Sequence, residues 1–183
     1  KNQTKNLDKL NELEKMMQDL GFSWDSKAKT GGVVKILNDK DQSRLTEMRK
    51  SGLNIMMSMK SEGKPVSFVE DCAVNLENLA EYTDGLTKIF KKYNVHGTWY
   101  AHASVGCLHV RPVLNMKINE DVKKMRMIAE EACALVKKFG GSFSGEHGDG
   151  IVRSEFIEKM FDKKVNNIFR QAKDLFDPNR IFN

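Results

Sequence analysis

An α+β fold is what this sequence predicts, with a sheet that is antiparallel at one hairpin and helices packed against it. Three observations carry that prediction. Apolar residues at helical spacing recur along the chain, short apolar segments of strand character lie between those stretches, and VHGTWYAHAS and CLHVRPVL pair across a break at Val105 and Gly106. At 183 residues the chain suits one domain, residues 1–183, with a sizeable core.

Taken in order, Leu7, Leu10, Leu13, Met16, Met17 and Leu20 predict an amphipathic helix over residues 5–20, capped by Gly21. Its apolar stripe needs a sheet or a partner helix to cover it. FSWDSKAKTGG reads as a loop, VVKIL as a short apolar segment, and residues 41–50 as a second helix. The methionine-rich MRKSGLNIMMSMKSEGKP is interrupted by glycine and predicts no clear element. PVSFVEDCAV reads as a strand with Val66 and Phe68 facing a core. NLENLAEYTDGLTKIFKKY is helical, with Leu76, Leu79, Tyr82, Leu86, Ile89 and Phe90 on one stripe. After the hairpin a helix is expected over residues 120–139, stopped by Gly140 and Gly141. SEFIEKMF and KVNNIFRQAKDLF form the last helices, closed by DPN because proline disfavours helix in the residue before it. The opening helix has no strand partner upstream and the chain stops abruptly at RIFN, so both ends read as cuts through a longer polypeptide.

Composition narrows the function classes. Hydrophobic residues at 40% and charged residues at 30%, with no long apolar run, predict a globular chain without a transmembrane segment. The start KNQTKNLDKL is polar and gives no secretory signal. Cys72, Cys107 and Cys133 are scattered and form no CxxC pair, which argues against a disulfide framework or a cysteine-based zinc site and for a reducing, cytoplasmic compartment. The net charge of +5 comes from lysines set beside glutamates on helical faces, and no basic-aromatic motif accompanies it, so nucleic acid is not an expected partner.

The residues suited to chemistry concentrate in two places. Alternation around the hairpin turn can bring His102 and His109 to one mouth of the sheet, where two neutral imidazoles suit a divalent ion. GGSFSGEHGDG, residues 140–150, sets Glu146 and His147 among glycines that let backbone approach a ligand closely. His102, His109 and Glu146 together make a two-histidine, one-carboxylate set with room for an open position. The plainer reading stands beside it: a strand histidine as a satisfied, partly buried side chain, and the glycine loop as a turn. Cys107 reads as a small core thiol rather than a ligand, and His96 as structural. Arg111, Arg153 and Arg49 carry planar guanidinium forks suited to a carboxylate, with surface solvation as the alternative. No GxGxxG, Walker A loop or GxSxG elbow is present, so any redox cofactor must come from another domain.

FVEDCAV at 68–74, YAHASVGCLHVRP at 100–112, SGEHGDG at 144–150 and the closing LFDPNRIFN stand in order along the chain. In these blocks it resembles the C-terminal domain of FAD-linked oxidases, the group containing D-lactate dehydrogenase, the glycolate oxidase FAD subunit and D-2-hydroxyglutarate dehydrogenase. The resemblance implies a ferredoxin-like α+β substrate domain that caps an FAD-binding domain lying upstream in the same chain. It implies His102, His109 and Glu146 as ligands of a divalent metal, zinc or manganese. It also implies His147 as general base on the substrate hydroxyl and Asn183 near the flavin ring.

AHASVGCLH departs from the commoner GHxGDGNLH turn, and Arg111 stands where some members carry a substrate-binding asparagine. This variant is similar to large bacterial members in which the flavin unit is fused to a downstream iron–sulfur domain. The implied activity is oxidation of a small D-2-hydroxy acid to the 2-oxo acid, with Arg111, Arg153 and Arg49 as candidates for holding carboxylate charge. The electron acceptor is left open, as is peripheral association of the whole protein with a membrane. Two other classes stay in view: a metal-dependent hydrolase, and a binding module that kept the fold without turnover.

Overall fold

The structure, a computed structural model, describes residues 3–24 and 31–182. It divides into two compact units, Lys1–Leu53 and Asn54–Asn183.

In the first unit α1 (Gln3–Asp19) ends as its sequence predicts. Gly21 takes φ +91°, and the amides of Gly21 and Phe22 donate to the carbonyls of Gln18 and Met17, both at 2.9 Å. Lys35 reaches back to Glu14 at 2.7 Å and Asn11 at 3.1 Å, while Leu7, Leu13, Met16 and Leu20 stay exposed. The second helix, α2 (Asp39–Met57), is longer than the predicted 41–50. Its start is fixed by Asn38, whose Oδ1 accepts the Asp41 amide at 2.8 Å. It then runs through Gly52, since one interior glycine costs only about 1 kcal/mol and the leucine and methionines around it are good helix formers.

The second unit is built on β4 (Cys107–Leu114). β3 (Gly97–His102) lies antiparallel along one edge, with Tyr100 opposite His109 and His102 opposite Cys107. β1 (Lys64–Pro65) and β2 (Asp71–Ala73) pair with the other edge, Pro65 opposite Val113 and Asp71 opposite His109. PVSFVEDCAV is therefore not one continuous strand. Between β1 and β2 the chain stays on β4 through Val66 N–H to Pro112 O and Val110 N–H to Glu70 O, both 2.9 Å, while Phe68 and Val69 leave the ladder for the core.

That core is formed by Cys72, Leu108 and Val110 of the sheet with α3 (Leu79–Lys92) and α4 (Asn119–Lys138), through Tyr82, Leu86, Phe90, Ile128, Ala132 and Val136. Leu76 departs from its predicted stripe and is 54% exposed. A three-residue 3₁₀ turn, Leu76–Asn78, precedes α3 and rotates it off the buried face. After α4 come the short α5 (Gly150–Arg153) and α6 (Ile157–Met160), split by a 3₁₀ turn that breaks up the SEFIEKMF helix, and then α7 (Lys163–Phe176). Helices packed on a small antiparallel sheet make the fold α+β. No helix among the described residues is long and apolar enough to cross a membrane.

The hairpin turn is wider than the break read at Val105 and Gly106. Ala103–Val105 form one 3₁₀ turn, closed by Gly106 at φ +71°. A Cβ there would stand 1.9 Å from the Val74 carbonyl oxygen, and the Val74 amide in turn donates to Gly106 O at 3.1 Å. Gly106→Ala is expected to cost more than the roughly 1–2 kcal/mol of a left-handed non-glycine residue, because the methyl also pushes β2 off the turn. A lowered urea midpoint at unchanged slope is the measurement that checks it.

Candidate functional site

Residues opposite one another in an antiparallel ladder project to the same face. The register therefore puts Asp71, Ala73, Tyr100, His102, Cys107, His109 and Arg111 on one side of the sheet and Cys72, Leu108 and Val110 on the other. The second set is the core; the first carries the titratable side chains of the candidate site.

The glycine loop pairs with the free edge of β2 and brings Glu146 and His147 over this polar face. Ser142 and Ala73 exchange both backbone hydrogen bonds, at 2.8 and 3.0 Å, and the Gly145 amide donates to Asp71 O at 2.7 Å. The approach is close enough that a Cβ on Gly145 would sit 3.0 Å from the Ala73 Cβ. What fixes the loop is the Asp71 carboxylate, which is fully buried. Its Oδ2 accepts the amides of Glu146 at 2.8 Å and His147 at 2.7 Å and the Ser144 hydroxyl at 3.0 Å, while Oδ1 pairs with Arg153 Nη1. Burial by itself would raise the Asp71 pKa. The two amides and the Arg153 guanidinium outweigh it and hold the carboxyl well below the usual carboxylate range, so it is ionised.

Held this way, Glu146 faces both hairpin histidines: Oε1 is 3.7 Å from His102 Nε2 and Oε2 is 3.9 Å from His109 Nε2. Donor atoms of His102, His109 and Glu146 all lie within 4.8 Å of one another, as do those of Glu70, His109 and His147. The His147 ring stacks on His109, centroids 5.1 Å apart and planes 20° apart. Its Nδ1 is 3.8 Å from Glu70 Oε1 and 4.0 Å from Asp71 Oδ2, and its Nε2 is 3.9 Å from Glu146 Oε2. His109 is 7% exposed, and burial lowers its pKa, which favours the neutral imidazole that can ligate. Its Nδ1 is buried with no hydrogen-bond partner among the described residues.

The other predicted residues fall differently. Arg153, 5% exposed, gives its guanidinium to Asp71, to the carbonyls of Phe143 at 3.2 Å and Gly148 at 2.5 Å, and to Ser144 Oγ at 3.3 Å. It grips a carboxylate of the protein itself, and it does so to shape the loop. Arg111 lies on the site face with Nε on Ser67 Oγ at 2.9 Å and Nη2 on Glu70. Arg49 is an exposed α2 residue of the first unit, and Asn183 lies outside the described residues. Cys107 is buried beneath the loop on the site face, and burial pushes its thiol up to about 11.

Sequence reasoning gave no part to Asp71, Glu70 or Tyr100, whose ring lies 6.0 Å from His102 and 5.7 Å from His109. The available signal was the acidic pair inside VSFVEDCAV, because a strand that buries its neighbours gives a carboxylate there a partner or a ligand to serve.

Residues 3–183 match the family model described as FAD linked oxidases, C-terminal domain. A D-2-hydroxyglutarate dehydrogenase of Haemophilus influenzae is 39% identical over 140 residues, which is 76% of this chain and 14% of that protein. A D-lactate dehydrogenase of Archaeoglobus fulgidus is 30% identical over 178 residues, 96% of this chain and 36% of that protein. The glycolate oxidase subunit GlcD of Bacillus subtilis is 26% identical over 139 residues and 29% of its own length. The chain thus spans a minor part of each relative. With its motif blocks, its α+β architecture and a family match running through both compact units, the chain belongs to the C-terminal domain family of FAD linked oxidases.

Proposed function

We propose that residues 1–183 act as one substrate-binding domain of a flavin-dependent dehydrogenase that oxidises a D-2-hydroxy acid to the 2-oxo acid. The observation that carries this reading is the convergence of His102, His109 and Glu146 with His147 beside them on one accessible sheet face. The names of the Haemophilus and Archaeoglobus relatives, both dehydrogenases of such acids, support the substrate class. An FAD-binding domain and an iron–sulfur domain of the same polypeptide, and a cytoplasmic setting, belong to the same proposal.

The donor set fits a divalent cation such as zinc or manganese: two imidazoles, one kept neutral by burial, and one carboxylate. Held by His102, His109 and Glu146, such an ion supplies Lewis acidity toward the hydroxyl and carboxylate oxygens of a 2-hydroxy acid, and the flavin implied by the family supplies hydride acceptance. The chain's own residues do the rest. His147, half-exposed and stacked on His109, takes the hydroxyl proton on its imidazole. Asp71 and Arg153 keep Glu146 and His147 at the height of the hairpin histidines, so the base and the carboxylate ligand share one anchor.

Anaerobic mixing of the flavin-loaded protein with D-lactate, glycolate and D-2-hydroxyglutarate tests the reading. Bleaching of the flavin by at least one of them, lost together with bound metal in a His102→Ala, His109→Ala double variant, is the expected outcome. No bleaching by any acid in metal-replete protein overturns the proposal.

A further inference from the structure

Glu70 takes no part in the His102, His109 and Glu146 set or in the loop scaffold, and its carboxylate lies within 4.8 Å of donor atoms of His109 and His147. We propose that Glu70 is a positioning residue for His147: it holds the Nδ1 side of the ring, so that Nε2 is the nitrogen presented to substrate, and Arg111 holds Glu70 in turn. The proposal rests on the dehydrogenase reading only for the identity of the reacting proton; the orientation of the ring stands on geometry.

Stacking on His109 fixes the plane of the His147 ring and leaves a half-turn about Cβ–Cγ open. That half-turn decides which nitrogen faces the cation set. In the structure Nε2 faces Glu146 at 3.9 Å and Nδ1 faces Glu70 Oε1 at 3.8 Å and Asp71 Oδ2 at 4.0 Å. With Glu146 on the Nε2 side given to the cation set, the carboxylates on the Nδ1 side favour an N–H there and leave the lone pair on Nε2. Asp71 Oδ2 already accepts two amides and a hydroxyl, which leaves Glu70 as the partner for the ring.

Glu70 is itself fixed. Its carbonyl accepts the Val110 amide at 2.9 Å, its carboxylate pairs with Arg111 Nη2, and Arg111 Nε is anchored on Ser67. Its side chain is 14% exposed, so the charge acts on the ring with little solvent between. The 3.8 Å separation is about 1 Å beyond a hydrogen bond, the kind of gap that catalytic contacts close when substrate seats. Arg111 thereby becomes the support of a positioning carboxylate.

The test has two arms. Nitrogen NMR of 15N-histidine-labelled protein, with the rings neutral, is expected to show His147 protonated at Nδ1, and Glu70→Ala is expected to move the proton to Nε2. In the flavin-loaded protein, Glu70→Ala is expected to slow flavin reduction at saturating acid by about 10–100-fold, the usual effect of removing an orienting partner, with KM changed far less. Glu70→Gln, whose amide oxygen still accepts from Nδ1, should recover most of the rate, and if Glu70→Ala fails to fold the nitrogen spectrum of the unsubstituted protein carries the test. An Nε2-protonated His147 in the unsubstituted protein overturns the proposal, and so does an unchanged reduction rate in Glu70→Ala. If no 2-hydroxy acid reduces the unsubstituted flavoprotein, the dehydrogenase reading fails while the nitrogen spectrum still decides the ring.

Discussion

Asp71→Asn is expected to destabilise the domain by about 3–5 kcal/mol, the usual cost of breaking a buried ion pair from one side. The substitution is nearly isosteric, so packing loss is not the cause. It removes the charge that balances Arg153, which is 5% exposed, and it turns an acceptor toward the amides of Glu146 and His147 and the Ser144 hydroxyl into a weaker one. Thermal or urea unfolding measures the loss. Replacing the pair together, Asp71→Asn with Arg153→Met, should recover part of it, because no buried charge then stands alone; a double variant no better than the single would refute the charge account. The same carboxyl sets an acid limb. Its folded pKa lies below the ordinary 3.8, so its contribution is complete above that value and is lost as the pH falls through the folded pKa. Below about pH 4 the unsubstituted domain should therefore lose stability more steeply than Asp71→Asn.

His147→Asn is expected to act on the other side of the same bond. Its backbone amide serves Asp71, at 2.7 Å, and that amide survives the substitution; its side chain is 46% exposed and carries no core packing. Stability and metal content should hardly change. Flavin reduction by the 2-hydroxy acid should fall by about 10²–10⁴-fold, the range a positioned base contributes. Stopped-flow reduction of the flavin-loaded variant, with metal analysis on the same sample, checks both halves. Reduction at the unsubstituted rate would remove His147 from the proton transfer and leave Glu146 or Tyr100 as the groups nearest the two hairpin histidines.

The hairpin and the helices around it were legible because their periods are intrinsic: two residues per turn of side-chain direction in β4, and 3.6 in α3 and α4. Alternation around the hairpin turn put His102 and His109 at one mouth of the sheet, and the register sets both on one face. The roles of the charged groups were harder to read. The forks of Arg153 and Arg111 do meet carboxylates, but those of Asp71 and Glu70, 82 and 41 residues away in sequence. Spacing within one segment holds no trace of such pairings. Local rules also misplaced the end of α2, where good helix formers carry the chain through Gly52, and the continuity of PVSFVEDCAV, where burial of Phe68 and Val69 pulls the chain out of the ladder.

β4 sends Cys107, His109 and Arg111 to one side and Leu108 and Val110 to the other. Chemistry and core are thus printed on the two sides of a single ribbon eight residues long. A substitution rewrites one side at a time, whereas inserting or deleting one residue exchanges the two, setting imidazoles against α3 and α4 and leucine against the glycine loop. Residue type in this strand is open to adjustment position by position, but its length is not, and redesign of the site has to work by exchange on the outward side alone.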